Sequence, residues 1–345
     1  MTERSDVRPS EVRPGDAGPG DGRPGVVPDD DLWADDVRAP TDRLDPRSRT
    51  VITVLLVSAF VVILNETIMS VALPVLMTDL GVTASVGQWL TAGFLLTMSV
   101  VIPITGFLIR RFRTRTLFGV AMGLFSTGTL LAALAPGFPV LLAARVVQAG
   151  GTAIMMPLLM TTVMTLVPPA RRGVMMGNIS IVISVAPAIG PAVSGLVLSV
   201  LGWRFLFWLV LPIALTALVV GLRRVTDVGE TAVMRIDVAS VVLSALGFGG
   251  LVYALSSVGQ AGGVATSTWV AFAVGLLGIV AFVVRQLALQ RSDRALLDLR
   301  TLRFRIFTIS SLVMMIMFAL LLGVAVLLPI FTQSVQGMTP LATGL

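Results

Sequence analysis

Apolar residues fall along this chain in blocks too long for an ordinary core helix. Nine such blocks lie near 51–76, 88–109, 116–135, 139–166, 174–200, 204–222, 237–257, 268–289 and 306–330. A helix rises about 1.5 Å per residue and a bilayer's hydrocarbon core is about 30 Å thick, so about 20 apolar residues cross it. Each block therefore predicts a membrane-spanning helix, here spans 1 to 9. The seventh is the weakest, because the glycines of "LGFGG" (Leu246 to Gly250) interrupt it. The predicted class is all-α, a polytopic membrane protein.

Two charges break the apolar pattern. "ILNETIMSVALP" (Ile63 to Pro74) in span 1 carries Glu66, and "ARVVQAGG" (Ala144 to Gly151) in span 4 carries Arg145. Helical rise puts Glu66 about 15 Å below the end of span 1, near mid-membrane. A charge at that depth costs at least about 3 kcal/mol on insertion scales, and such residues mark proton or ion paths. The alternative is a protonated Glu66 hydrogen-bonded to a neighbouring helix. Arg145 lies about 9 Å and Gln148 about 14 Å below the same surface, on one helical face. Arg145 either meets Glu66 or reaches outward to the headgroups. Span 5 holds "APAIGPAVSG", where Pro187 and Pro191 kink the helix and Gly190 and Gly195 permit close helix approach.

Composition narrows the function. The chain of 345 residues is 55% hydrophobic and 13% charged, with a mean hydropathy of +0.93. It has no Cys and no His, which removes disulfides, Cys- or His-based metal sites and His-dependent nucleophiles, so an enzyme is not expected. No cofactor or metal is implied. All 25 basic residues are arginine. Residues 1–49 carry a net charge of −4, and the remainder +10. The arginines of that remainder cluster in alternate gaps, at Arg110, Arg111, Arg113 and Arg115, at Arg171 and Arg172, at Arg223, Arg224 and Arg235, and from Arg291 to Arg305. This is a membrane-orientation pattern, not a nucleic-acid groove, and it places the N-terminus in the cytoplasm. The Pro-, Gly-, Asp- and Arg-rich residues 1–49 have no apolar period and are expected to be a disordered cytoplasmic tail.

These stretches together resemble the major facilitator superfamily, within its fourteen-span drug:proton antiporters and nearest the lincomycin-resistance branch. "LNETIMSVALP" resembles that group's first-helix pattern, "ARVVQAGG" its fourth-helix Arg-x-x-Gln-Gly pattern, and "APAIGPAVSG" its fifth-helix antiporter motif. "GFLIRRFRTR" (Gly106 to Arg115) resembles the loop motif between helices 2 and 3, and "LLDLRTLRFRIF" (Leu296 to Phe307) the segment before the second bundle. Two departures stand out. Many members have Asp one position before Glu66, where this chain has Asn65. The acid expected in the loop motif is replaced by Arg110.

The resemblance implies a six-helix bundle over 50–222, two extra spans over 223–305 and the first helix of a second bundle over 306–345. It also implies proton-coupled export of lipophilic drug-like compounds across the plasma membrane by alternating access. Glu66, Arg145 and Gln148 would be the coupling residues. Asn65, Thr67, Gln88, Trp89, Met155, Met314 and Phe318 would be the substrate-cavity candidates. The implied partners are small molecules, protons and membrane lipids, with a monomer expected for the full-length protein. The chain stops at "TPLATGL", which resembles the start of a tenth helix, so the expectation is a fragment or a truncated gene product. Export of an endogenous lipid, siderophore or amino acid, or an inactive fragment, fits the same residues.

Overall fold

A computed structural model describes residues 45–228, 237–257, 266–290, 295, 298–339 and 342. Among the described residues there are nine helices long and apolar enough to cross a membrane. They are α1 (Pro46–Asp79), α2 (Trp89–Arg111), α3 (Thr114–Ala133), α4 (Phe138–Leu166), α5 (Pro169–Val200), α6 (Arg204–Arg224), α7 (Val238–Ser257), α8 (Thr266–Gln290) and α9 (Arg305–Ser334). One helical turn, Ala84–Gly87, leads into α2, and a short 3-10 turn, Leu299–Arg303, precedes α9. The described residues contain no strand. In hydrocarbon every backbone polar group must be satisfied within the protein, and the helix does this for each segment alone.

The breaks between helices follow local chemistry. Gly81 (φ +63) turns the chain after α1, in a conformation that disfavours other residues. Proline opens α1, α4 and α5 at their first positions, where a missing N–H costs nothing. Prolines inside the spans, such as Pro74, Pro157 and Pro212, leave the helices continuous.

Several boundaries differ from the sequence reading. α1 begins at Pro46, so residues 46–49 of the expected disordered tail are helical; residues 1–44 lie outside the described residues. Arg110, Arg111, Arg223 and Arg224 occupy last helical turns rather than loops, and Arg171 and Arg172 lie in the first turn of α5. Helix ends at the membrane surface stay helical past the apolar stretch, and cations are favourable at C-terminal ends. Arg235, Arg291 and Arg294 lie outside the described residues.

Around α1 pack α4, α5, α6 and, further along, α9. α4 also packs on α2 and α3, and α3 on α6. α7 and α8 form a pair that meets the rest through α2. The glycines that weakened the seventh span are its contact surface. A side chain at Gly250 would lie 2.7 Å from Gly275, and one at Gly278 would lie 2.7 Å from Gly247. With lipid outside, such close backbone approach is what holds two apolar helices together. Asp237 and Arg285 close this pair at one end through two hydrogen bonds of 2.7 Å.

Candidate functional site

The interior of the first six helices holds one guanidinium. Arg145 is 2% exposed and belongs to α4. Its Nη1 donates to Gln148 Oε1 at 2.6 Å, one turn along, and Gln148 Nε2 donates to Thr129 Oγ1 at 2.8 Å. The Thr129 hydroxyl donates in turn to Phe125 O at 2.7 Å, within α3. Gly128 and Gly151 make this crossing possible. A Cβ at Gly128 would lie 2.6 Å from Gln148 N, and one at Gly151 would lie 2.3 Å from Ala121 O. The Arg145 guanidinium also lies 4.1 Å from the centre of the Phe94 ring of α2, a cation–π contact. Arg145 thus turns inward, onto three helices, and not toward the headgroups.

Glu66 sits on α1, half-buried, and no described residue donates a hydrogen bond to its carboxylate. Arg145 is the charge that acts on it across the interior, without an ion pair within 4.0 Å. Neighbouring Asn65 is 2% exposed and takes the buried position, so replacement of the usual Asp at 65 by Asn moves the acid to a more open face. Asn65 Nδ2, Arg145 Nε and Ser126 Oγ are buried without a hydrogen-bond partner among the described residues.

α5 presses on α1 right beside Glu66. Thr67 Oγ1 lies 3.4 Å from Ala186 O, and Ser194 Oγ donates to Ile68 O at 2.9 Å. Between these two contacts lies Gly190, where a Cβ would meet Thr67 Oγ1 at 2.2 Å. Ala186, Gly190 and Ser194 recur every fourth residue and form the contact stripe. Gly195 is buried beside it, while Pro187 and Pro191 are half-buried and bend no contact apart.

The other singled-out residues lie elsewhere. Met155 is fully buried in the core of α4. Gln88 is exposed at the start of α2, and Trp89 packs on Tyr253 of α7 with ring centres 6.0 Å apart. Met314 and Phe318 are 56% and 49% exposed on α9 and take no part in the Arg145 cluster. In the loop motif Gly106, Arg110, Arg111, Arg113 and Arg115 are all exposed. Arg113 pairs with Asp227 at 3.9 Å and Arg115 N donates to the same carboxylate at 3.2 Å, so an acid beyond α6 serves this loop where Arg110 replaced the expected one. Thr129 and Phe94 were not singled out from sequence. The polar run Ser126-Thr127-Gly128-Thr129 inside span 3 was the available signal for the first, and Phe94 had none.

The sequence model of the Major Facilitator Superfamily matches residues 55–345. The MFS-type transporter YcnB of Bacillus subtilis (strain 168) is 43% identical over 304 residues, covering 87% of this chain and 63% of that protein. The lincomycin resistance protein LmrB of the same organism is 40% identical over 293 residues, covering 84% and 60%. The multidrug resistance protein B homolog of Mycobacterium tuberculosis (strain ATCC 25618 / H37Rv) is 29% identical over 308 residues, covering 89% and 57%. The chain thus spans less than two thirds of the length of these relatives. With its helices, its match over 55–345 and these relatives, the chain belongs to the major facilitator superfamily of multi-pass membrane transporters, and is not an enzyme.

Proposed function

We propose that the protein exports lipophilic, drug-like compounds across the plasma membrane in exchange for protons, with Glu66 as the group that takes up and releases the proton. One observation carries this reading: a half-buried carboxylate in a spanning helix, with no hydrogen-bond donor among the described residues, faces the field of a buried arginine. Such a carboxylate is open to proton exchange, and its charge state changes the force between α1 and α4. Protonation removes the attraction to Arg145; ionisation restores it. Alternating access needs such a difference between two states of one helix pair. The names of the relatives, lincomycin and multidrug resistance proteins, support the choice of lipophilic drugs as substrate class. We place the arginine-rich ends of the helices, and the N-terminus with them, in the cytoplasm, on the strength of the arginine bias.

The test uses everted vesicles carrying the protein and a lipophilic cationic dye. Glu66→Gln abolishes dye transport driven by a pH gradient while leaving downhill dye exchange in place. Gradient-driven transport by Glu66→Gln at the wild-type rate removes Glu66 from the role. Transport of amino acids or siderophores but not of dye would replace the drug by an endogenous solute.

A further inference from the structure

α1 and α6 pack side by side and leave a groove of about 520 Å³ between their spans. Thr53 and Val57 of α1 line one wall, and Ile213, Thr216 and Val220 of α6 the other. The Thr53 hydroxyl donates to Arg49 O at 2.9 Å and the Thr216 hydroxyl to Pro212 O at 2.7 Å. Both hydroxyls are therefore engaged within their own helices, and the groove presents methyl groups. Val57, Ile213 and Val220 are exposed, and β-branched side chains hold one rotamer in a helix, so the walls are stiff and the groove stays open. From Ile213 to Val220 it runs about 10 Å along α6. Two cations stand at its end. Arg224 follows Val220 by four residues and Arg223 follows Thr216 by seven, so both continue the groove-facing stripe of α6 into its last turn. Both are exposed, and among the described residues neither guanidinium makes a hydrogen bond or an ion pair. Asp227, three residues on, faces Arg113 and Arg115 N instead. Across the groove, Asp45 and Arg47 offset each other at the start of α1, and Arg49 lines a separate cleft with α5.

We propose that this groove holds an anionic phospholipid from the leaflet at the arginine-rich end, with an acyl chain between α1 and α6 and the phosphate at Arg223 and Arg224. The order of groups along α6 matches such a lipid along its length. Guanidiniums offer forked donors suited to phosphate oxygens. An arginine stem lies along apolar surface while its head reaches the headgroup level. Below it, Val220, Thr216 and Ile213 meet the chain in turn. A soluble phosphate would use only the two arginines and leave the groove empty of a ligand. A lipophilic cation would fit the groove and be repelled at its end. The anionic lipid satisfies both parts, which is why it is the occupant chosen here. The site is separate from Glu66 and Arg145, and it does not depend on the transport reading.

Native mass spectrometry of the purified chain tests this. With equal phosphatidylglycerol and phosphatidylcholine, the chain retains phosphatidylglycerol roughly thirtyfold in preference, the size expected for two basic residues at an anionic surface. Arg223→Gln with Arg224→Gln brings the preference to about one. Arg223→Lys with Arg224→Lys keeps most of it, and Arg110→Gln with Arg111→Gln, equal charge removed at the end of α2, keeps all of it. Phosphatidylglycerol with a photoactivatable acyl chain attaches to peptides within 53–57 or 212–220 of the unaltered chain. Equal loss in the two Gln pairs would overturn the proposal as diffuse surface charge. Attachment only outside those peptides would overturn the groove. Displacement of the photolabel by a lipophilic cation but not by unlabelled phosphatidylglycerol would assign the groove to a drug and overturn the lipid.

Discussion

Gly190 is where one added methyl group reports on the joint beside Glu66. In Gly190→Ala the new Cβ would lie 2.2 Å from Thr67 Oγ1 and 2.8 Å from Thr67 Cβ. The hydroxyl can rotate away, but the Cβ is fixed to the α1 backbone. Carbon atoms pack at about 3.5–4.0 Å, so α5 must withdraw by roughly 1 Å at this level. That withdrawal strains the Ser194 to Ile68 bond of 2.9 Å one turn further along. Overpacking of this kind costs about 1–3 kcal/mol. Alanine recovers up to about 1 kcal/mol over glycine in a helix, which leaves a net change from about zero to a loss of about 2 kcal/mol. Denaturant unfolding in mixed micelles measures it. Thr67→Gly removes both clashing atoms, so the two substitutions together should be less damaging than their sum by about 1 kcal/mol or more. Strict additivity of Gly190→Ala with Thr67→Gly refutes the close contact.

Three further outcomes follow from the same geometry. Glu66→Gln and Arg145→Ala should combine with a coupling of about 0.5–3 kcal/mol in unfolding free energy, and additive values would show that the two charges do not act on each other. The bidentate Arg285 pair and the Ser240 hydroxyl hold Asp237 well below the usual carboxylate range, at about 2. A depressed carboxyl contributes stability above its ordinary value near 4 and loses it as pH falls toward 2, so Asp237→Asn should lower unfolding stability by at most about 2 kcal/mol at pH 7. Its difference from wild type should shrink between pH 4 and 2; a gap that persists at pH 2 would mean the pair is not the cause. In a chain without cysteine, Ala84→Cys should react with an impermeant maleimide added outside intact cells while Arg110→Cys should not, and the reverse pattern would invert the proposed orientation.

The spans were legible because an apolar block of about 20 residues needs no knowledge of its neighbours to declare itself. Their ends were not, because arginines such as Arg111 and Arg224 read as loop and fold as last turns. Glu66 and Arg145 were legible as exceptions to an apolar pattern. The partners of Arg145 were not, since Thr129 and Phe94 reach it only through the crossing that Gly128 and Gly151 allow. The glycines of α7 were misleading in the same way: as a linear feature they weaken a helix, while against Gly275 and Gly278 they are its packing surface. Arg204, the first residue of α6, meets Asp79 at 3.8 Å and the Trp203 ring at 4.1 Å, a cluster that also takes Trp203 Nε1 to Asp79 at 2.6 Å.

The contacts on α1 bear on how a proton could be felt beyond its own site. Within two turns of that helix, Glu66 lies in the field of α4's Arg145, Thr67 and Ile68 are touched by α5, and Val71 O accepts from Gln333 of α9 at 3.2 Å. Three helices therefore meet one short stretch, on different faces. The α5 contact is a close approach of small residues, with Thr67 Oγ1 3.4 Å from Ala186 O and Ser194 Oγ 2.9 Å from Ile68 O. The α9 contact involves an end of that helix, whose beginning is exposed from Arg305 through Leu321. On the proposed reading, a change in charge at Glu66 would alter the pull of α4 on α1, and the Gly190 and Gln333 contacts would pass it to α5 and α9. Packed interfaces respond to such pulls by switching between arrangements and not by stretching. A single proton is enough to bias that choice if the Glu66–Arg145 interaction differs by about 1.4 kcal/mol between the two arrangements, a tenfold shift in population.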